Sequence, residues 1–132
     1  MLKRNKHFLL MLLTLALPFG CVGCSDGGSE TYEQISGAKA KALMDSESGY
    51  IIIDARTREE YDQGHIPGAI LIPEYEIADR AEKELPDKAQ LILVYCRSGR
   101  RSKIAAEELV KLGYTNVKEF GGIIDWEYEI VK

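Results

Sequence analysis

The sequence predicts an α/β domain built on a mostly parallel sheet with helices on both faces. Two observations carry that prediction. Short β-branched runs alternate along the chain with stretches of helical pattern, and the two strongest runs, Tyr50-Ile-Ile-Ile-Asp54 and Gln90-Leu-Ile-Leu-Val-Tyr95, have unbroken apolar centres at Ile51–Ile53 and Leu91–Val94. Continuous apolar strands of this length belong in sheets covered on both sides, and the alternation with helices makes neighbouring strands parallel. A chain of 132 residues supports one domain and leaves too little for a second.

Each element has its own local reason. Ser36 to Ser46 reads as a first helix with Ser36 as its N-cap. The Tyr50–Asp54 strand follows, and Thr57-Arg-Glu-Glu60 is a capping-box pattern that opens a short second helix. Gly68-Ala-Ile-Leu-Ile-Pro73 is a shorter strand, and Glu74 to Leu85 a third helix ended by Pro86. After the Gln90–Tyr95 strand, Ser102 to Leu112 makes a fourth helix. Its inner face is expected to carry Ile104, Ala105, Leu109 and Leu112, with Gly113 as the stop signal. Val117-Lys-Glu-Phe120 is the last strand. No internal repeat is present, and the domain is expected over residues 32–132.

The first 31 residues read differently. Lys3, Arg4 and Lys6 precede ten almost purely apolar residues, Phe8 to Leu17. That length suits a signal-peptide core and falls short of the ~20 residues that cross a bilayer. Pro18 and Gly20 break the segment, and Gly23-Cys24 is followed by polar Ser25-Asp26-Gly27-Gly28-Ser29. This end resembles a bacterial lipoprotein signal, which implies cleavage after residue 23, lipid on Cys24, a flexible tether over 24–31 and an extracytoplasmic anchor at the cell membrane. Cys21 competes as the lipidation site, with Pro18 three places before it. Cys21-Val-Gly-Cys24 also has CxxC spacing, but no second Cys/His pair exists to complete a zinc or redox site.

Charge narrows the function. The chain carries 17 Lys+Arg and 21 Asp+Glu, net −4, which argues against a broad phosphate-reading face and so against nucleic acid as a partner. Residues 1–23 hold three of the basic residues and no acid, so the remainder holds 14 against 21, net −7. Against that acidic background, Arg97, Arg100, Arg101 and Lys103 stand within seven residues. They follow Cys96, which sits where a buried strand gives way to a helix. Strand ends and helix N-termini of parallel sheets are anion sites, because free N–H groups converge there. A cysteine in that place is expected to favour thiolate, and Gly99 permits the curl that turns successive amides inward. The plain alternative is a buried structural cysteine before an exposed basic turn.

Five ordered pieces resemble the single-domain rhodanese-like sulfurtransferases over about residues 32–132. They are Ile53-Asp54-Ala55-Arg56 with Glu59-Glu60-Tyr61; Gly64-His65-Ile66-Pro67-Gly68-Ala69; the loop Tyr95-Cys96-Arg97-Ser98-Gly99-Arg100-Arg101-Ser102; Gly113-Tyr114-x-x-Val117; and Gly121-Gly122-Ile123-x-x-Trp126. The resemblance implies a five-stranded sheet and sulfane-sulfur transfer. Cys96 would attack a small anionic donor such as thiosulfate, become a persulfide and pass the outer sulfur to a thiol, a cyanide-like acceptor or a partner protein. The amides of Arg97, Ser98, Gly99, Arg100 and Arg101 would hold the sulfur, and the cationic side chains would attract the donor. No metal or organic cofactor is implied.

Other candidates read as support. Asp54 and Arg56, at a strand end, are expected to form an ion-pair framework, and His65, in a turn with Pro67 and Gly68, to fix loop geometry. Trp126 reads as core. Two rival functions are a cysteine phosphatase or arsenate reductase, and a silent binding or regulatory domain. The C-x5-R phosphatase spacing would need arginine at position 102, where the chain has Ser102, with Arg101 one place short. An intact Cys96 loop argues against the silent reading.

Overall fold

A computed structural model describes residues 31–132; the signal, Cys21, Cys24 and nearly all of the tether lie outside the described residues. In chain order the elements are β1 (Glu33–Gln34), α1 (Gly37–Ser46), β2 (Ile51–Asp54), α2 (Arg58–Gln63), β3 (Ile70–Leu71), a 3-10 turn (Glu74–Glu76), α3 (Ile77–Glu84), β4 (Ile92–Cys96), α4 (Arg100–Lys111), β5 (Val117–Gly122) and a 3-10 turn (Ile123–Asp125). The five strands run in the order β1-β5-β4-β2-β3, and every pairing is parallel.

The apolar runs place the sheet's centre. All five residues of β4 are buried, as are Ile52, Ile53 and Asp54 of β2. One face packs Ile53, Val94, Ile77, Ala81, Ala105 and Leu109 into a core under α3 and α4. The other packs Ile52, Leu93, Tyr95 and Phe120 against Ala40, Leu43 and Met44 of α1 and Tyr61 of α2. Fully burying each such aliphatic side chain contributes about 1.5–3 kcal/mol, which is why these two strands anchor the domain. Ser36 caps α1 by accepting from the Lys39 amide at 3.1 Å, and Thr57 caps α2 by accepting from the Glu60 amide at 3.3 Å. Among the described residues no helix is long and apolar enough to cross a membrane.

Three expectations shift. Ile104 does not face the core: it is exposed, and the buried stripe of α4 is Ser102, Ala105, Ala106 and Leu109. That stripe has the i, i+3, i+4, i+7 spacing of one helix face, and Ile104 falls beside it. The third helix begins as a 3-10 turn, and the strand expected over 68–73 shortens to Ile70–Leu71, held between the Pro67-Gly68 turn and Pro73. β1 is an additional strand of two exposed residues, paired to Lys118 and Glu119 of β5. Trp126 is half-buried and packs on Phe120 at 5.6 Å between ring centroids.

Candidate active site

Cys96 ends β4 and is buried, and its strand register breaks between Val94 and Cys96 so that Cys96 lies opposite Gly122 of β5. The chain then turns through exposed Arg97 and Ser98 to Gly99, at φ 107°. This left-handed conformation is nearly free only for glycine. It also leaves α4 without a side-chain cap, so the amides at the helix start are free to face the sulfur. The Gly99 amide donates to Cys96 Sγ at 3.0 Å. β5 makes room for the turn at Gly122, where a Cβ would stand 1.9 Å from the Arg97 carbonyl oxygen.

Burial alone would push the Cys96 thiol up. The polar groups gathered around it, Ser102 and the amides of Ser102, Gly99 and Ser98, outweigh that burial and hold the thiol below its ordinary range. Below the loop, the Ser102 hydroxyl donates to Glu119 Oε1 at 2.6 Å, and the Gly121 amide donates to the same oxygen at 2.8 Å. Ser102 and Glu119 are both buried.

The loop's cations separate into two kinds. Arg97, Arg100 and Lys103 are exposed, with no ion pair among the described residues. Arg101 instead donates through both terminal nitrogens to the two carboxylate oxygens of Glu60 on α2, at 2.7 and 2.9 Å. That contact pulls the Glu60 carboxyl down to about 2, with the Arg101 hydrogen bond as the main cause against opposing burial. Arg101 therefore holds α2 to the loop and offers less of its charge to a ligand than Arg97 does.

Asp54 and Arg56 lie at the neighbouring strand end. Arg56 Nε and Nη2 donate to the Asp54 carboxylate at 2.9 and 2.7 Å, and Arg56 Nη2 also donates to the Gly64 carbonyl at 2.7 Å. Tyr95 donates its hydroxyl to Asp54 at 2.6 Å and accepts from the Ile66 amide at 3.1 Å. Burial and the Asp54 charge push the Tyr95 phenol up, so it stays a donor. His65 stacks on Tyr61 at 3.7 Å, its Nδ1 lies 3.0 Å from the Tyr61 carbonyl, and its backbone exchanges two hydrogen bonds with Val131. Among the described residues, none of Asp54, Arg56 and His65 hydrogen-bonds to Cys96.

A cavity of about 290 Å³ opens in front of the loop, lined by Arg56, Glu60, Gln63, Gly64, Arg97, Ile123, Ile124 and Ile130. Another of about 150 Å³, between α1 and the C-terminal segment, includes no residue of the loop. Among the described residues no three His, Cys, Asp or Glu side chains cluster as a metal site would require.

Sequence reasoning passed over Glu119, the Ser102 hydroxyl that bonds to it, and the close approach of Gly122 to the Arg97 carbonyl. Glu119 left a signal: Val117 and Glu119 share one face of a strand by alternation, so an acid was directed inward. The Gly122 contact depends on the strand order, which no local pattern carries.

The family model described as Rhodanese-like domain matches residues 36–129. The chain is 45% identical over 73 residues to Thiosulfate sulfurtransferase PspE of Escherichia coli (strain K12), covering 55% of this chain and 70% of that protein. It is 40% identical over 88 residues to a Sulfurtransferase of Allochromatium vinosum, covering 66% and 79%. Among solved structures, a rhodanese with anions from E. coli superposes with a TM-score of 0.60 at 42% identity, covering 63% of this chain and 98% of the other. Some relatives are longer, and the chain spans 22% of one and 55% of another.

Proposed function

This chain belongs to the rhodanese-like domain family and is a sulfurtransferase in the general sense of its relatives' names; from that premise we propose that it moves sulfane sulfur through a persulfide on Cys96. The observation that carries the reading is the Cys96 thiol itself, buried at a strand end under the uncapped amides of α4, with the Gly99 amide 3.0 Å from Sγ. Such a thiol is a nucleophile and not a packing residue. With thiosulfate as donor, Sγ attacks the outer sulfur, an S–S bond forms, and the bond to the sulfite group breaks with its electron pair leaving on sulfite. A thiolate or cyanide acceptor then attacks the terminal sulfur, and the Cys96 thiolate leaves. Amides that stabilise the thiolate also stabilise the persulfide anion, because both place negative charge in the same cradle. Exposed Arg97 at the cavity wall draws the anionic donor toward that cradle.

Intact-mass measurement after incubation with thiosulfate tests the reading. The wild-type chain gains one sulfur on Cys96, and Cys96→Ser gains none and loses thiosulfate:cyanide transfer. Transfer by Cys96→Ser at the wild-type rate overturns the mechanism, and a wild-type chain that takes up no sulfur favours a silent domain. The lipoprotein-like start completes the proposal: lipid on Cys24 holds the domain at the extracytoplasmic face of the cell membrane. A Cys24→Ser chain then leaves the membrane fraction, and one that stays there refutes the anchor.

A further inference from the structure

Cys96 and Gly122 are partners across β4 and β5, and the residue after each, Arg97 and Ile123, lines the cavity of about 290 Å³. That cavity therefore opens directly beyond the strand ends that hold the nucleophile, and its walls differ in character. One wall is polar, with exposed Arg97 on the loop and exposed Gln63 on α2. The other is apolar and consists of Ile123, Ile124 and Ile130, of which Ile124 is 60% and Ile130 46% exposed. A singly exposed isoleucine needs no explanation. Three of them, from two separate segments and lining one cavity beside a reactive thiol, make a surface that gains by leaving water.

Both apolar segments are pinned beside the loop. The Ile124 amide donates to the Arg97 carbonyl at 3.2 Å, which ties the isoleucine turn to the residue after Cys96. Ile130 precedes an antiparallel bridge in which His65 and Val131 exchange backbone hydrogen bonds of 2.8 and 2.9 Å. Its Cγ2 lies against Gly64, where an added Cβ would stand only 3.0 Å from it. The isoleucines thus stay at the cavity and away from the core.

We propose that Ile123, Ile124 and Ile130 form the acceptor's half of the cavity, and that the acceptor is a low-mass aliphatic thiol whose hydrocarbon chain lies along them. The inference rests on Cys96 carrying the persulfide. Transfer through a covalent intermediate brings donor and acceptor to the same sulfur in turn, so one cavity has to suit both. A small oxyanion such as thiosulfate has no hydrocarbon to cover and is drawn by Arg97, so the isoleucines add nothing for it. A hydrocarbon chain gains from them in proportion to the area it removes from water. The space is just under the ~300 Å³ at which small-molecule sites begin, which fits one short chain and not a folded partner. In the step itself, the acceptor thiolate bonds to the outer sulfur and the S–S bond to Cys96 breaks with its electron pair on Sγ. The product leaves as an organic persulfide, and no further reactant enters.

A single-turnover measurement tests the assignment. The full chain is loaded with thiosulfate, freed of excess donor and mixed with neutral thiols from mercaptoethanol to mercaptohexanol, and the loss of one sulfur is followed by intact mass. Each rate is divided by the cyanide rate of the same loaded sample, which cancels differences in how readily Cys96 departs. The ratio is expected to rise about twofold with each added methylene, the gain for a chain covered on one side, and more than about tenfold across the series. Ile124→Ser and Ile130→Ser each lower that slope, and the double variant flattens it; the single variants decide should the double one fail to fold. Ile104→Ser, at an exposed isoleucine of α4 outside the cavity lining, keeps the slope. Equal ratios along the series, in a chain that still gives its sulfur to cyanide, overturn the assignment and leave the apolar wall to a macromolecular partner. A slope that survives in the variants overturns it as well. Loading precedes the acceptor, so the two failures are distinct. A chain that takes up no sulfur fails the persulfide reading and this proposal with it, whereas a loaded chain blind to acceptor length fails only this proposal.

Discussion

β2 and β4 lie side by side in parallel, and each runs into a helix through a short junction, yet the two junctions do opposite things. After β2, side chains close the junction. The Asp54 carboxylate takes the Arg56 amide at 3.0 Å, the Arg56 guanidinium and the Tyr95 hydroxyl, and Thr57 caps α2. After β4, no side chain caps α4; Gly99 turns left-handed and the free amides converge on a thiol. The same strand-to-helix geometry becomes framework where a carboxylate and a cap satisfy the donors, and a reactive centre where a thiol receives them.

The largest expected effect is on the closed junction. Asp54→Asn leaves the buried Arg56 without its counter-charge, which costs about 3 kcal/mol of stability. At about 4–8 °C of melting temperature per kcal/mol for a domain of this size, a thermal scan should show a fall of more than about 10 °C. A fall of only a degree or two would mean that Arg56 reaches water instead, and the contrast between the junctions would lose its structural half.

The open junction should respond in the other measure. At Gly99 a Cβ would meet Gly121 Cα at 3.7 Å and Glu119 Oε1 at 3.9 Å, so space is not the obstacle to Gly99→Ala. The left-handed φ is, at about 1–2 kcal/mol for a residue with a Cβ. Any relaxation of the turn swings the Gly99 amide away from Sγ. Thiosulfate:cyanide transfer should therefore fall by more than about tenfold, a loss beyond that expected from the modest drop in stability seen by urea titration. A variant that transfers sulfur at the full rate would show that the curl is not what activates Cys96.

The two junctions were also unequally legible. Asp54 to Thr57 and Cys96 to Ser102 are each contiguous, so residue type and order announced a strand end, a cap and a cation-rich turn. The apolar runs of β2 and β4 announced themselves because burial on both faces demands unbroken Val, Ile and Leu. What stayed hidden depends on distance along the chain. Ser102 and Glu119 are 17 residues apart and Glu60 and Arg101 are 41 apart, and the parallel strand order alone brings them together. β1 was hidden for another reason: Glu33 and Gln34 have no strand pattern and become a strand only by pairing with β5. Ile104 was misplaced because Ile104 and Ala105 both fit an apolar stripe read one residue out of phase.

The smallest effect concerns the tie between the two junctions, where Glu60 in the first turn of α2 holds Arg101 in the first turn of α4. Glu60 is held down to about 2, from 4.5 ordinarily, chiefly by Arg101. A depressed folded-state value means that the pair stabilises the fold above pH 4.5 and that this contribution fades as the pH falls from about 4.5 toward 2. Both side chains are partly exposed, at 20% for Arg101 and 26% for Glu60, so water and salt screen the pair to about 1 kcal/mol or less. Urea titrations of the wild type and Glu60→Gln should differ by that amount at pH 6, with the gap shrinking steadily below pH 4.5 and closing only as the pH passes below about 2. A difference that persists unchanged at pH 2.5 would come from packing of the Glu60 stem and not from the ion pair. The reactive junction would then be held to the closed one by shape alone.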